Sequence, residues 1–571
     1  MKIVLAASAI SAVVLAGSLS YPFLYIPPAF IPQATVTAPR DANSARGSEA
    51  CASCHVEIYK SYSKTVMATA SGPAVDGMIT GEFTHKASGV RYRVYKQDGR
   101  VWMSYERSSE KGFQGKRELL DFIGSGVKGR TYLFSVDDFW FEAPINWYSQ
   151  EGKWNMTPAY TDAVEMPMNL PAYASCLNCH ASGMRTPVAG TDNEFAGEPF
   201  VHDGITCERC HGTGDGHLEN GKGSIVNPAK LEPARRDAIC MECHFEGTVA
   251  IEQPGKHMYD FQPGERLSDF MHYFLLSTND PQKPQAVSQF EALSQSECKK
   301  QSGDRMWCGS CHDPHKEPAA AEKATYYRGK CLSCHGEGAQ GKAFAAKHHP
   351  DKPDCRTCHM PELPSKDVAH VETTDHRIMR YPNTPPPPRL QVRVGVGAPL
   401  LAFPASNTKL ATTRDFALGF ETLVLRGSED ITARMAEGYL RQAIAERPDD
   451  VAVLSALAFV DQQHKNDDEA RELYERALKI DPLDNEAATN LGMIEARTGN
   501  LRHAVELWQG AFARAPYRSA IGMNLALAFC SANQKDDARK YVQRVLEFNP
   551  DYRKAKSLLA NLEKEPVQCR P

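Results

Sequence analysis

Seven times the chain carries two cysteines separated by two residues and followed at once by histidine. The copies are Cys51/Cys54/His55, Cys176/Cys179/His180, Cys207/Cys210/His211, Cys240/Cys243/His244, Cys308/Cys311/His312, Cys331/Cys334/His335 and Cys355/Cys358/His359. With Cys and His each at roughly 3% of residues, chance supplies on the order of a hundredth of a copy. Two thiols at this spacing can form thioethers with the two vinyl groups of one porphyrin, and the next residue then lies under the iron as proximal ligand. The pattern implies seven covalently attached haems c. A zinc ribbon needs two such pairs per metal and no histidine after each. A disulfide framework scatters its cysteines instead of pairing them closely. The motifs use 14 of the 17 cysteines and leave Cys298, Cys530 and Cys569.

The sixth ligand of each iron separates an electron carrier from an enzyme. An iron closed by a second histidine passes electrons; an iron without a protein ligand can bind substrate. The haem region holds ten further histidines: His85, His202, His217, His257, His272, His315, His348, His349, His370 and His376. Ten suffice to close seven irons. His217 and His315 each follow a motif closely and can reach a neighbouring haem. His376, His348, His202 and His370 complete the expected distal set.

These groups need a scaffold. Residues 48–380 form the expected heptahaem domain, with 17 of the 19 histidines. Its architecture should be short helices and loops, because porphyrins fill the core. Within it, about 80–165, a small β-rich insert is expected. Val90-x-Tyr92-x-Val94 and Val101-x-Met103-x-Tyr105 alternate around Asp98-Gly99, a hairpin pattern. Tyr132–Phe134 and Phe139–Phe141 suggest a second strand pair. Residues 381–410 include four consecutive prolines, Pro385 to Pro388, and read as an extended linker.

From 411 to 564 the chain is helical in pattern and repetitive. Pro448, Pro482, Pro516 and Pro550 stand 34 residues apart, and Leu457/Leu491/Leu525 and Ala470/Ala504/Ala538 keep step. Period and small-residue pattern resemble the tetratricopeptide repeat, with three clear repeats and a degenerate one near 416–447. Stacked repeats usually bind a protein, so this part is expected to be a separate folding unit that docks a redox partner. The fold class is therefore mainly α: a multihaem domain followed by an α-solenoid.

Thioether attachment takes place outside the cytoplasm. Residues 1–32 agree: Lys2 precedes an apolar run from Ile3 to Gly17, read as a secretory signal or an uncleaved membrane anchor. A net charge of −5 on 571 residues argues against nucleic acid as partner.

Cys308-Gly-Ser-Cys-His-Asp-Pro-His315, Cys207-Glu-Arg-Cys-His-Gly up to His217, and Cys355-Arg-Thr-Cys-His-Met-Pro361 with Asp375-His376-Arg377 resemble a multihaem superfamily. It includes the tetrahaem cytochromes of nitrification, hydroxylamine oxidoreductase and pentahaem nitrite reductase. Cys51-Ala-Ser-Cys-His-Val-Glu-Ile-Tyr59 followed by Thr65-Val-Met67 is similar to it as well. The resemblance implies parallel and perpendicular haem pairs, and Met67 is expected, with the six histidines above, as the seventh distal ligand. The catalytic Cys-x-x-Cys-Lys motif of pentahaem nitrite reductase is missing from the sequence. Two functions stand open. The first is a periplasmic cytochrome carrying electrons along seven packed haems, its repeats docking a protein. The second is an oxidoreductase acting on a small nitrogen or sulfur oxyanion.

Overall fold

The computed structural model describes residues 46–149, 151–157, 160–221, 225–276, 288–336, 354–362, 374–379, 400–403, 410–426, 430–564 and 566–570. Of the described residues, helix accounts for 45% and strand for 17%, so they are mainly α. The β portion is larger than a small insert. Nine antiparallel strands run from 71 to 156: β1 Ser71–Pro73, β2 Gly81–Thr84, β3 Arg91–Gln97, β4 Arg100–Glu106, β5 Gln114–Leu119, β6 Asp121–Ile123, β7 Gly129–Val136, β8 Phe139–Tyr148 and β9 Lys153–Met156. They form two sheets, ordered β2-β3-β4-β5 and β1-β6-β7-β8-β9.

Local chemistry explains the two long hairpins. Asp98 and Gly99 both have positive φ (53° and 78°), as do Asp137 and Asp138 (49° and 64°). Two-residue loops of this handedness match the twist of the flanking strands. In β3 and β4, Tyr92, Val94, Val101, Met103 and Tyr105 point inward in strict alternation. They meet Tyr132, Phe134, Phe139, Phe141 and Ile145 of the second sheet in one apolar core.

The Cys-x-x-Cys-His motifs sit on or beside helical segments outside these sheets: the first before β1, the second just before β10 (Ala181–Met184), the third just after β11 (Phe200–Asp203), and the other four further along the chain. A third sheet pairs β12 (Val249–Glu252), β13 (Met271–Leu276) and β14 (Leu400–Phe403). β14 belongs to the stretch expected to be a linker. Leu400, Leu401 and Phe403 are buried, and burying them offsets the cost of ordering this segment. The proline run itself lies outside the described residues.

The C-terminal part consists of helical hairpins: Thr413–Leu425 with Asp430–Glu446, Val451–Gln463 with Asp467–Ile480, Asn485–Arg497 with Leu501–Arg514, Ser519–Ser531 with Lys535–Phe548, then Arg553–Leu562. The degenerate first repeat is a complete hairpin. Asp450 and Asp484, 34 residues apart, cap successive hairpins by accepting from Val453 N and Ala487 N. Gly492 lies so close to the Trp508 indole that a Cβ there would clash. Cys530 and Cys569 form a disulfide that ties the tail to the last repeat.

The repeats, expected as a separate folding unit, pack directly against the N-terminal part. The edge of the repeats that carries the junctions between hairpins lies along the N-terminal part at three places. At the first, Phe416 and Phe420 pack with the third sheet through Phe274, Val249 and Leu400. There the buried Asp415 accepts from Gln253 (3.1 Å) and pairs with His272 (2.8 Å). In the middle, Asn485 donates to Gly190 O (2.9 Å) and Tyr517 to Asp192 (3.3 Å). At the last, Tyr517 and Phe548 enter the β core against Phe139 and Phe141. Beside them the fully buried Asp551 accepts from Arg107 Nη1 (2.9 Å), Met166 N (2.7 Å) and Lys556 (2.9 Å). Both parts contribute to shared apolar cores.

Candidate haem sites

The approach to the third motif is sewn to the segment after the first. Ile205 N donates to Met67 O (2.9 Å), Tyr62 donates to Ile205 O (2.6 Å), and Gly204 N donates to Ser71 (2.8 Å). Gly204, at φ +60°, lies so close to Ala68 O that a side chain there would collide. The result is that Cys51 stands beside Cys207, within hydrogen-bonding reach. The same relation holds for Cys179 with Cys243, Cys240 with Cys308 and Cys331 with Cys355. Cys210 lies near Cys243, and Cys311 near Cys334. These neighbours join all seven motifs in one succession: first, third, fourth, fifth, sixth, seventh, with the second branching at the fourth.

Three motif histidines face a second histidine from a distant part of the chain. The rings of His55 and His217 are centred 6.3 Å apart with planes within 21°. His211 and His315 are 5.9 Å apart at 15°, and His312 and His376 are 6.2 Å apart at 27°. Two imidazoles sharing one metal through nitrogens about 2.0 Å from it have ring centres roughly 6.3 Å apart. The spacing therefore fits one iron between each pair.

The motif residues differ in setting: His55, Cys176 and Cys334 are exposed. Cys54 is exposed and Cys358 half-buried. Each accepts a long bond from the hydroxyl beside it, Ser53 and Thr357, at 3.9 Å. In both motifs the first cysteine, Cys51 or Cys355, meets the neighbouring motif. His335 ends the helix Lys323–His335 and is exposed. His180 is half-buried where the helix Ala174–Asn178 gives way to β10, its N donating to Leu177 O (2.9 Å). The attachment roles of Cys54 and Cys358 and the proximal roles of His180 and His335 rest on the motif itself.

Backbone carbonyls orient other rings. His211 Nδ1 lies 2.7 Å from Val226 O, His359 Nδ1 2.7 Å from Met379 O, and His376 Nδ1 2.9 Å from Thr374 O. A proton held at Nδ1 in this way leaves the Nε2 lone pair for a metal. Burial, with His376, His244 and Lys330 nearby, pushes His312 down to about 4. Burial also lowers His211 and His244. These rings are thus neutral near pH 7, as ligation requires. Paired thiols, an adjacent neutral imidazole and an opposed second imidazole fit haem c.

The other expected ligands are placed as follows. Met67 is half-buried beside Ile205, while the rings opposite His55 and His211 are those of His217 and His315. His202, on β11, packs over Gly47 near Glu208 of the third motif. His348, His349 and His370 lie outside the described residues. His85 uses both ring nitrogens inside the protein, with Ser88 and Thr161 O at 2.9 Å each. His272 holds Asp415, and His257 lies 3.1 Å from Glu252 and stacks on Tyr259. Cys298 is half-buried within reach of Cys311 and Cys334.

Sequence reasoning missed a buried polar cluster at the branch point. Arg209 donates to Glu242 and to Asn178 O (3.0 Å), and Asn178 Nδ2 donates to the same Glu242 oxygen (3.2 Å). The signal was present in charged residues inside two Cys-x-x-Cys pairs, Arg209 and Glu242.

Two family models match parts of the chain. The family described as "Cytochrome c554 and c-prime" matches residues 148–212, which contain the second and third motifs. That match implies haem c as the cofactor there. The tetratricopeptide repeat family matches 434–493 and 496–562. None of the curated proteins compared matches the chain. Among solved structures, "Crystal Structure of Outer Cell Wall Cytochrome OcwA" is 16% identical, covering 83% of this chain and 100% of that one, at TM-score 0.37. "Crystal structure of MamA" is 16% identical over 26% of this chain and 83% of that one, at TM-score 0.23. "Functional Characterization of Pseudomonas Aeruginosa pilF" is 23% identical over 26% and 68%, at TM-score 0.24.

Proposed function

We propose that the protein is an exported, periplasmic electron-transfer cytochrome with seven haems c, and that its repeats dock a redox partner protein. The observation that carries this reading is the set of three opposed histidine pairs at the spacing of two ligands on one metal. Bound haem would supply one-electron redox chemistry. The chain's own residues attach it through the motif cysteines, fix imidazoles through backbone carbonyls, and keep neighbouring motifs in contact. Closing an iron on both faces with histidine excludes substrate from it, which favours transfer over catalysis at those three positions.

The repeats support the partner role in an altered form. Their junction edge holds the cytochrome, and the opposite edge, with turns at 464–466 and 498–500, is exposed. The disulfide Cys530–Cys569 accords with an oxidising compartment. Among the described residues no helix is long and apolar enough to cross a membrane; the expected signal or anchor, 1–32, lies outside them. Denaturing mass spectrometry of the mature protein should give polypeptide plus seven haems, and its ferric spectrum should be mainly low-spin. Six or fewer haems at full maturation would refute the count. A dominant high-spin band would favour the oxidoreductase reading.

A further inference from the structure

The second variable residue of three successive motifs forms one buried cluster: Asn178 between Cys176 and Cys179, Arg209 between Cys207 and Cys210, Glu242 between Cys240 and Cys243. The side chains of Arg209 and Glu242 are 13% and 2% exposed, and Asn178 is fully buried. Glu242 Oε1 accepts from both Arg209 and Asn178, and Arg209 also reaches back to Asn178 O. The guanidinium lies among Cys179 and Cys243, cysteines of two motifs other than its own, and Cys179 Sγ lies 3.8 Å from Glu242 O. Nothing in haem attachment itself requires charge at these positions. A full ion pair has been taken out of water where three attachment sites meet, and such a pair is stable only when its geometry is held.

We propose that Arg209 and Glu242 are positioning residues that hold the second, third and fourth motifs in register and balance the charge felt by their three haems. The proposal rests on the haem reading above and goes beyond it. Arginine stays charged in any protein environment. Within a poorly screened interior, its unit charge acts strongly over short distances. Alone, it would favour added electrons on every nearby haem; Glu242 cancels that field. Asn178 aims the carboxylate and ties the second motif to the pair.

The test is a spectroelectrochemical titration of the full-length, matured protein, with haem content measured on the same samples. E242Q leaves the guanidinium unbalanced. It should raise the midpoints of a subset of haems by at least the tenfold change in reduction equilibrium that corresponds to 59 mV for one electron. R209Q should shift the same subset downward. R209K, which keeps the charge, should stay near the wild-type curve, and R209Q/E242Q should lie between the two single variants. Single variants that retain every haem and titrate like the wild type, or that shift in the same direction, would overturn the proposal. If a single variant loses haem, R209Q/E242Q decides: recovery of haem content supports charge balance, and equal loss refutes it. A wild-type protein without haem would instead refute the haem reading, so the two failures are distinguishable.

Discussion

Replacing Asp551 with alanine should loosen the seam between the repeats and the β sheets. Its carboxylate is fully buried, and Arg107, which faces it, is 7% exposed. Arg107, Lys556 and Met166 N all donate to it. Removing one partner of a buried pair typically costs about 3–5 kcal/mol, because the other charge stays buried and uncompensated. Here Arg107 retains Glu110, which is 41% exposed and therefore a weaker, screened partner. The lower end of that range, about 3 kcal/mol, is expected. Far-ultraviolet circular dichroism in a urea titration would read the loss, and hydrogen exchange would localise it to 91–106 and 535–562. The pH dependence follows with definite sign. Burial pushes the Asp551 carboxyl up, but hydrogen bonds from Arg107, Lys556 and Met166 N outweigh it and hold it below the usual value. A depressed carboxyl contributes stability above its unfolded pKa of about 3.9 and loses it as pH falls through the folded value. The wild type should thus lose its advantage over D551A only on strong acidification. A loss below about 1 kcal/mol at pH 7, or an unchanged gap between the two proteins at low pH, would refute the reasoning.

Three further outcomes are expected. His217→Ala and His315→Ala should each open one iron and create a high-spin band, whereas Met67→Ala should leave the spectrum unchanged; a new band only in the methionine variant would reverse that assignment. Cys569→Ser should lower stability by up to about 4 kcal/mol on a chain-entropy estimate for the loop it opens, read as earlier urea unfolding of the repeats. A chain ending near Arg380 should mature poorly or aggregate, because it exposes Phe139 and Phe141 and removes β14; a soluble, fully haem-loaded product would show that the shared cores are dispensable.

What the sequence alone determined is local. Cys-x-x-Cys-His is a complete chemical unit within five residues, so all seven motifs were legible. The two hairpins were legible for the same reason: alternation and turn residues such as Asp98-Gly99 act over a few positions. A 34-residue period likewise declares each repeat from its own helices. Only the tertiary structure decided which histidine faces which. His55 meets His217 and His312 meets His376 across long loops, and a histidine that ligates has no local mark separating it from His85, held by Ser88 and Thr161. Identical motifs also differ in setting: Cys54 and His335 are exposed while Cys179 and His211 are drawn inward, because neighbours from elsewhere in the chain cover some turns and not others. The same limit hid the union of the two parts. Tyr517 and Phe548 look like ordinary repeat core residues until the β core is seen to close over them, and Asp551 looks like a solvent-facing acid until Arg107, 444 residues away, is found against it. Burial and pairing between distant segments depend on the whole chain's packing, and no short window of sequence carries that information.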